Sequence, residues 1–505
     1  MSAYQTQVDR VLPRLLALYD RNPISPTRGL GDRYRWAWKL IDFGNATFQG
    51  ACHGLARLVA AGLLPEYLSE HAAIERIQEM IDATTQLQDR DGSVGEALPH
   101  ESSFCVTALV VHDILAAVEL LGPRLEPGSL DAIEPMVRFI ERSDETHAVI
   151  SNHLATGVAA LVRWHALTGS GGLQAAEALV RRLLAAQDTE GWFREYAGAD
   201  PGYQTLTTHY LADAHGLRPE LELLEPLRRS LQFLWHFAHP DGSFGGLYGS
   251  RNTRFLAPGG IEALAQTIPE AAALSLFARR AIAARSVVTL ETMDEPNLVP
   301  LFNSYCWAAA EERPLNSDLP LPAESEPFRR LFTSAGLIVD RGSAHYTVVS
   351  MHKGGVTHHV GNAGTDVDAG IVARAGDRLY TTQAYSSSNA WRELPDGVEV
   401  VARLSTVPVR LPSPLQFAVL RVAAGTAFRI TRLRLLAKRL LVRHVVTARN
   451  EVALANRRTI RFGEALTIDD EWVGDPAGFD RVVVTGPFSA LHMASQGYWQ
   501  VGDDT

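Results

Sequence analysis

Along residues 1 to about 312, apolar side chains recur at spacings of three and four, the signature of amphipathic helices. Val8, Leu12, Leu15, Leu16 and Tyr19 form one such stripe, and Ile150–His165 and Ile261–Ala284 repeat it with alanine and leucine. The pattern predicts helices of about 12–18 residues separated by short Gly, Pro and Asp loops. From about residue 328 the texture changes to short β-branched runs: 345–352, 370–383, 398–411, 443–454 and 481–488. Lys353-Gly354-Gly355 and Ala375-Gly376-Asp377 punctuate them as turns. Between the halves, residues 313–327 (RPLNSDLPLPAESEP) read as a linker. The expected organisation is a helical domain over 1–312, a linker over 313–327 and an antiparallel β domain over 328–505.

Three segments of the helical half resemble one another: QLQDRDGSVGE (86–96), AAQDTEGWFRE (185–195) and FAHPDGSFGG (237–246). Their glycines, Gly92, Gly191 and Gly242, are separated by 99 and 51 residues. That is close to two units and one unit of about fifty, enough for a pair of antiparallel helices each. Either helical hairpins stack in a ring or solenoid, or such glycine turns are common and the three matches are chance.

The 505 residues are 46% hydrophobic and 21% charged, which excludes a disordered or collagen-like chain. The net charge of −10 argues against coating nucleic acid or anionic lipid through the overall field. A local basic groove for an acidic sugar remains compatible with it. Cys52, Cys105 and Cys306 lie far apart, in no zinc spacing. They fit a reducing compartment. The first residues show no basic stretch followed by an apolar one, so no secretory signal is expected. No uninterrupted apolar window approaches 18 residues, so no membrane span is expected. The expected location is the cytoplasm.

Several short motifs resemble the heparinase II/III-like polysaccharide lyases. Ser151-Asn152-His153 is similar to the family's Asn-Asn-His motif. Gly191-Trp192-Phe193 with Asp200-Pro201-Gly202-Tyr203 resembles the segment bearing its catalytic tyrosine. Asp366, with Gly376-Asp377-Arg378-Leu379-Tyr380 ten residues on, resembles a strand pair of its second domain. The resemblance implies an incomplete α/α toroid followed by an antiparallel β-sandwich. It also implies a lyase for acidic oligosaccharides or glycoconjugates. One departure is clear. Where the family places His-x-His before that aspartate, this chain has Asn362-Ala363-Gly364-Thr365, and its histidines stand earlier, at His358 and His359. The family's zinc is therefore not expected here, and Asp366 can simply cap a turn. No metal and no other cofactor is expected.

A uronate lyase removes a weakly acidic proton alpha to a carboxylate and expels the 4-O-linked sugar. An amide, imidazolium or guanidinium must offset the carboxylate charge, and a tyrosine or histidine must move the protons. The catalytic candidates are Asn152, His153, Tyr203 and His209. Asn152 either neutralises charge or caps its helix. His153 either moves a proton or is an ordinary core histidine. Tyr203 and Tyr210 are seven apart and can share a helix face. One is then an acid/base, or both plug the wall through their rings. Substrate-binding candidates are Tyr210, Arg251, Asn252, Arg254, His358 and His359. The loop from Tyr248 to Arg254 offers two guanidiniums for a sugar carboxylate, or is a solvated loop with local ion pairs. His358 and His359 are adjacent on a strand, so only one can face a given cleft.

Three other readings compete. A glycoside hydrolase would use two carboxylates, with Asp89, Asp91, Glu96, Glu195, Asp200 and Asp241 available at loop positions. Terpene cyclisation lacks its DxDD and DDxxD runs. A non-catalytic glycan-binding or assembly protein would keep the scaffold alone.

Overall fold

The computed structural model describes residues 2–145, 149–407, 413–430, 433, 434, 436, 450–491, 498 and 499. Six helices stand as an inner ring: Ala51–Ala61, Phe104–Leu121, Ser151–Thr168, Pro201–Leu217, Gly259–Leu264 and Glu295–Glu311. Each packs on the next, and the last packs on the first. Outer helices between them include Glu70–Thr84, Ser129–Arg142, Leu173–Ala185, Leu224–Leu234 and Pro269–Ala284, making an α/α toroid. The six-residue Gly259–Leu264 is the shortest segment of the ring.

Sequence explains the two kinds of helix. Outer helices such as Ser129–Arg142 carry one apolar stripe and bury Ile133, Met136, Val137 and Ile140. Inner helices are buried nearly all round, because both sides meet other helices, and Pro201–Leu217 buries Gln204, Thr205, Thr207 and Thr208 along with its apolar residues. Phe104–Leu121 is the extreme case, and it is long and apolar enough to cross a membrane. Here it stands in the ring, with most of its surface packed on its neighbours.

The three similar segments make the same turn. Gly92 N–H donates to the Asp89 carbonyl at 2.9 Å, Gly191 to Asp188 at 3.0 Å and Gly242 to His239 at 3.0 Å. Gly92 and Gly191 adopt φ of 86° and 97°, and a Cβ there would collide with the carbonyls of Pro135 and Arg229 on the next outer helix. Each turn delivers the chain to an inner helix, so all three lie on one mouth of the toroid.

After the helix ending at Glu311 the chain runs irregularly, with one short turn at Pro322–Glu324, to a first strand at Phe328–Phe332. Four more antiparallel strands follow in chain order to Gly364–Asp368, completing a five-stranded sheet. A second antiparallel sheet is ordered Thr467–Val473, Glu451–Arg461, Gly397–Thr406, Arg378–Thr381, Val372–Ala375, Asp480–Val482, with Ala390–Leu394 also on Gly397–Thr406. Ile338 and Val349 of the first sheet meet Val398, Val400 and Ile460 of the second, which is the core of the sandwich. Of the expected strand runs, 408–411 and 443–449 lie outside the described residues. Beyond Val482 the run 481–488 leaves the sheet. One element departs from the β texture. Pro414–Gly425 is a helix, opened by Ser413 and Gln416 in a reciprocal cap with Pro414 at the first position.

Candidate functional site

The mouth bearing those turns also gathers most of the polar candidates. Residues 194 and 195 run beside the start of the helix Ser151–Thr168: Ser151 N–H donates to the Arg194 carbonyl at 3.2 Å. This places the buried Glu195 carboxyl under Asn152. Asn152 donates from its backbone N–H to Oε1 and from its side-chain amide to Oε2, each at 2.9 Å. Thr207 adds a third donor at 3.3 Å. Burial pushes Glu195 up to about 8, against the pull of those donors. His153, one residue on, pairs its Nδ1 with Glu145 at 2.8 Å. Glu145 belongs to the polar stretch 143–147, of which Thr146 and His147 lie outside the described residues.

Asp200 organises the other side. It caps the helix Pro201–Leu217 by accepting from Tyr203 N–H at 3.1 Å through Oδ1. Its Oδ2 accepts from Arg251 N–H at 2.8 Å, and Thr253 Oγ1 donates to Oδ1. Tyr203 and Arg251 therefore hang from the two oxygens of one buried carboxylate. Burial raises the Asp200 carboxyl despite these donors. The Arg251 guanidinium lies over the ring of Tyr196, 4.1 Å from its centre. Burial pushes the Tyr196 phenol up to about 12, and the guanidinium opposes this. Tyr196 is held at φ 58°, a conformation uncommon for a residue with a side chain. Tyr203 packs its ring edge-on against Phe255 at 5.6 Å.

The β half closes over this mouth. Lys353 reaches into the toroid, donates to the Gly249 carbonyl at 2.9 Å, and also bonds the Leu247 carbonyl and the Asn252 side-chain oxygen. Tyr385, paired with His352 at 2.9 Å, sits so close to Gly198 that a Cβ there would collide with its hydroxyl. His358 stacks on His239 of the toroid, centroids 4.1 Å apart. His239 in turn pairs with the Tyr248 hydroxyl at 3.0 Å.

Asn152, His153, Tyr203 and Arg251 are thus brought to one mouth through Glu195, Asp200 and Tyr196. Other candidates are not. His209 and Tyr210 lie inside the ring: Tyr210 packs on His112 and His209, and His209 on Trp307. Seven residues of helix carry the chain about 10 Å along its axis, from the mouth into the core. Asn252 is engaged between the halves, its amide nitrogen donating to Ser489 at 2.8 Å while its oxygen accepts from Lys353. Arg254 lies over Tyr498, 5.4 Å from its ring centre. His359 points away from the toroid: it pairs with Thr347 at 2.8 Å and stacks near His345, as strand alternation requires once His358 faces His239. The loop from Tyr248 to Arg254 is not a solvated one, since Tyr248, Arg251 and Asn252 are buried. Sequence reasoning left out Glu145, Tyr196 and Lys353. For Tyr196 the one available signal was its position between Glu195 and Gly198, where the chain must turn sharply.

The zinc site of the resembled family does not fit. Asp366 is exposed opposite His359, and among the described residues no third ligand joins them. Two trios occur elsewhere, His53–His112–Asp113 in the toroid core and His239–Asp241–His358 between the halves.

No family model and no curated protein matches the chain. Solved structures do. Heparinase III aligns with a TM-score of 0.50 at 11% identity, over 94% of this chain and 71% of its own. Chondroitin AC lyase of Streptomyces coelicolor A3, solved with chondroitin sulphate, gives 0.49 at 12%, over 80% of this chain and 66% of its own. Xanthan lyase of Paenibacillus gives 0.47 at 11%, over 80% of this chain and only 44% of its own. The chain thus spans less than two thirds of either of these last two lyases. The likeness to heparinase III establishes the fold: a toroid followed by a sandwich, as in that polysaccharide lyase.

Proposed function

We propose that the protein is a carbohydrate-active lyase that eliminates a 4-O-linked sugar from a uronate-containing oligosaccharide. The observation that carries the reading is the suspension of Tyr203 and Arg251 from the single carboxylate of Asp200, beside an amide and an imidazole at the same mouth. Arg251 and Asn152 draw off the charge of the sugar carboxylate, so the neighbouring C–H becomes acidic enough to lose its proton. Tyr203 or His153 takes that proton, the C4–O4 bond breaks, and the departing oxygen receives a proton from the same pair. Glu145 holds the His153 ring in orientation. The product carries a carbon–carbon double bond conjugated to its carboxylate.

A hydrolase at this mouth would need two carboxyls facing a glycosidic bond. Glu195 and Asp200 are fully buried and saturated by protein donors, which favours a scaffolding role for both. The test is incubation with acidic oligosaccharides, followed in the near ultraviolet. Absorbance should grow with the wild type and vanish with Tyr203→Phe, whose unfolding midpoint should be unchanged. Release of saturated reducing ends without absorbance would replace elimination by hydrolysis.

A further inference from the structure

The helix Pro414–Gly425 buries almost nothing of itself. Ala424 is its one buried residue, while Leu415 is 74%, Phe417 53% and Val422 66% exposed. Exposed branched and aromatic side chains at this density mark a surface that something apolar covers. The surface continues onto the toroid. Arg421 pairs with Asp42 and lies over Phe43, 5.6 Å from its ring centre, joining the helix to the segment that exposes Trp38 at 64% and Leu40 at 72%. Arg434 pairs with Asp91 at 3.4 Å on one of the three toroid turns. The insertion is therefore fastened to the rim by two arginines, with its apolar side chains left outward.

Charge says what covers it. The described residues of the insertion carry Arg421, Arg429 and Arg434 and no aspartate or glutamate, in a chain of net charge −10. Arg33, Arg35 and Lys39 flank Trp38 on the toroid side. The occupant must be anionic and must also accept aliphatic side chains. An acidic polysaccharide offers the first property without the second. A second copy docking this face on itself would bring like charges together. An anionic bilayer surface offers both properties, with headgroups for the arginines and the acyl boundary for Leu415, Phe417, Val422, Trp38 and Leu40. Twelve residues are far short of a span, so the helix lies in the plane of the interface.

We infer that the Pro414–Gly425 insertion, together with the Trp38–Leu40 rim, is a peripheral docking surface for anionic lipid. The full-length chain is floated with vesicles of phosphatidylcholine alone and with an equimolar mixture of phosphatidylcholine and phosphatidylglycerol. The chain should float with the mixed vesicles, not with phosphatidylcholine alone, and should detach as salt screens the charge. Phe417→Ser combined with Val422→Ser should weaken flotation by about tenfold or more, because interfacial binding scales with the apolar area inserted. Arg429→Gln should weaken it less. These positions are exposed, so the unfolding midpoint should not move. Failure of the wild type to float with the mixed vesicles overturns the inference, as does flotation of the double variant equal to wild type. Light scattering and a polyglutamate probe cover the other occupants. A dimer that the double variant dissociates, or polyglutamate binding, either one without flotation, assigns the surface to a second copy or to an acidic protein and likewise overturns it.

Discussion

Lys353, from the turn after the third strand of the sandwich, bonds the side-chain oxygen of Asn252 in the toroid, so one buried ammonium ties the two halves together. Its other acceptors are the Leu247 and Gly249 carbonyls. Burial pulls Lys353 down from 10.5 to about 7. A lysine whose folded value is depressed binds fewer protons folded than unfolded between those limits, so its contribution to stability rises with pH across that window. Lys353→Met should cost about 3 kcal/mol near neutrality by stranding three buried acceptors. It should also flatten the rise in stability between about pH 7 and 10.5. Denaturant titrations of both proteins across that range measure the two effects. Parallel curves would mean that Lys353 titrates normally.

Glu195 has the opposite sign. Its carboxyl rises from 4.5 to about 8 through burial. The folded state therefore holds a proton the unfolded state has lost, and stability falls with pH across that window. Glu195→Gln should remove this slope while still accepting from Asn152 through its amide oxygen. Glu195→Ala should cost about 2 kcal/mol and release Asn152, lowering kcat/KM about a hundredfold. Equal kcat/KM in Glu195→Ala and wild type would remove Asn152 from the reaction.

Arg251 and Tyr196 separate recognition from proton transfer. Tyr196→Phe keeps the ring under the guanidinium and should change kcat/KM less than about threefold, whereas Tyr196→Ala removes the platform and should raise KM about tenfold. Arg251→Lys loses the planar fork and should raise KM by a similar factor. Steady-state kinetics on one substrate suffices. Loss of turnover in Tyr196→Phe, with Tyr203→Phe active, would transfer the acid/base role to Tyr196.

The toroid was legible because its signals are local. Inner and outer helices alike carry apolar residues at spacings of three and four, and at Gly92, Gly191 and Gly242 an acidic residue precedes a glycine that takes a positive φ. The placement of Asn152, His153 and Tyr203 in the first turns of their helices was legible for the same reason. Glu145, Tyr196 and Lys353 were not. Lys353 meets its acceptors across more than a hundred positions, and no spacing rule reaches that far. The depth of His209 and Tyr210 was not legible, because helical periodicity gives the face of a residue and not its depth in the ring. The helix Pro414–Gly425 was hidden by its neighbours, β-branched runs on either side of it.

Within the ring, His112 donates through Nδ1 to Asp113 and through Nε2 to Asp213, each at 3.1 Å. Two carboxylates on the two nitrogens require the imidazolium form. Burial alone would lower its pKa, but the hydrogen bonds to Asp113 and Asp213 outweigh that and raise it above 6.5. His53, donating to Asp113 at 2.9 Å and accepting from Arg57 at 2.8 Å, is instead neutral, and burial pulls it to about 3. His112→Asn should cost about 3–5 kcal/mol below pH 6.5 by leaving two buried carboxylates without their shared cation. A histidine with a raised folded value stabilises most below its unfolded value and loses that contribution as pH climbs through the folded one. The difference between wild type and His112→Asn should therefore shrink on the alkaline side. Because the network lies in the core and not at the mouth, kcat measured well below the variant's unfolding midpoint should stay near wild type. A large kcat defect in a fully folded His112→Asn protein would make this network part of the catalytic machinery instead.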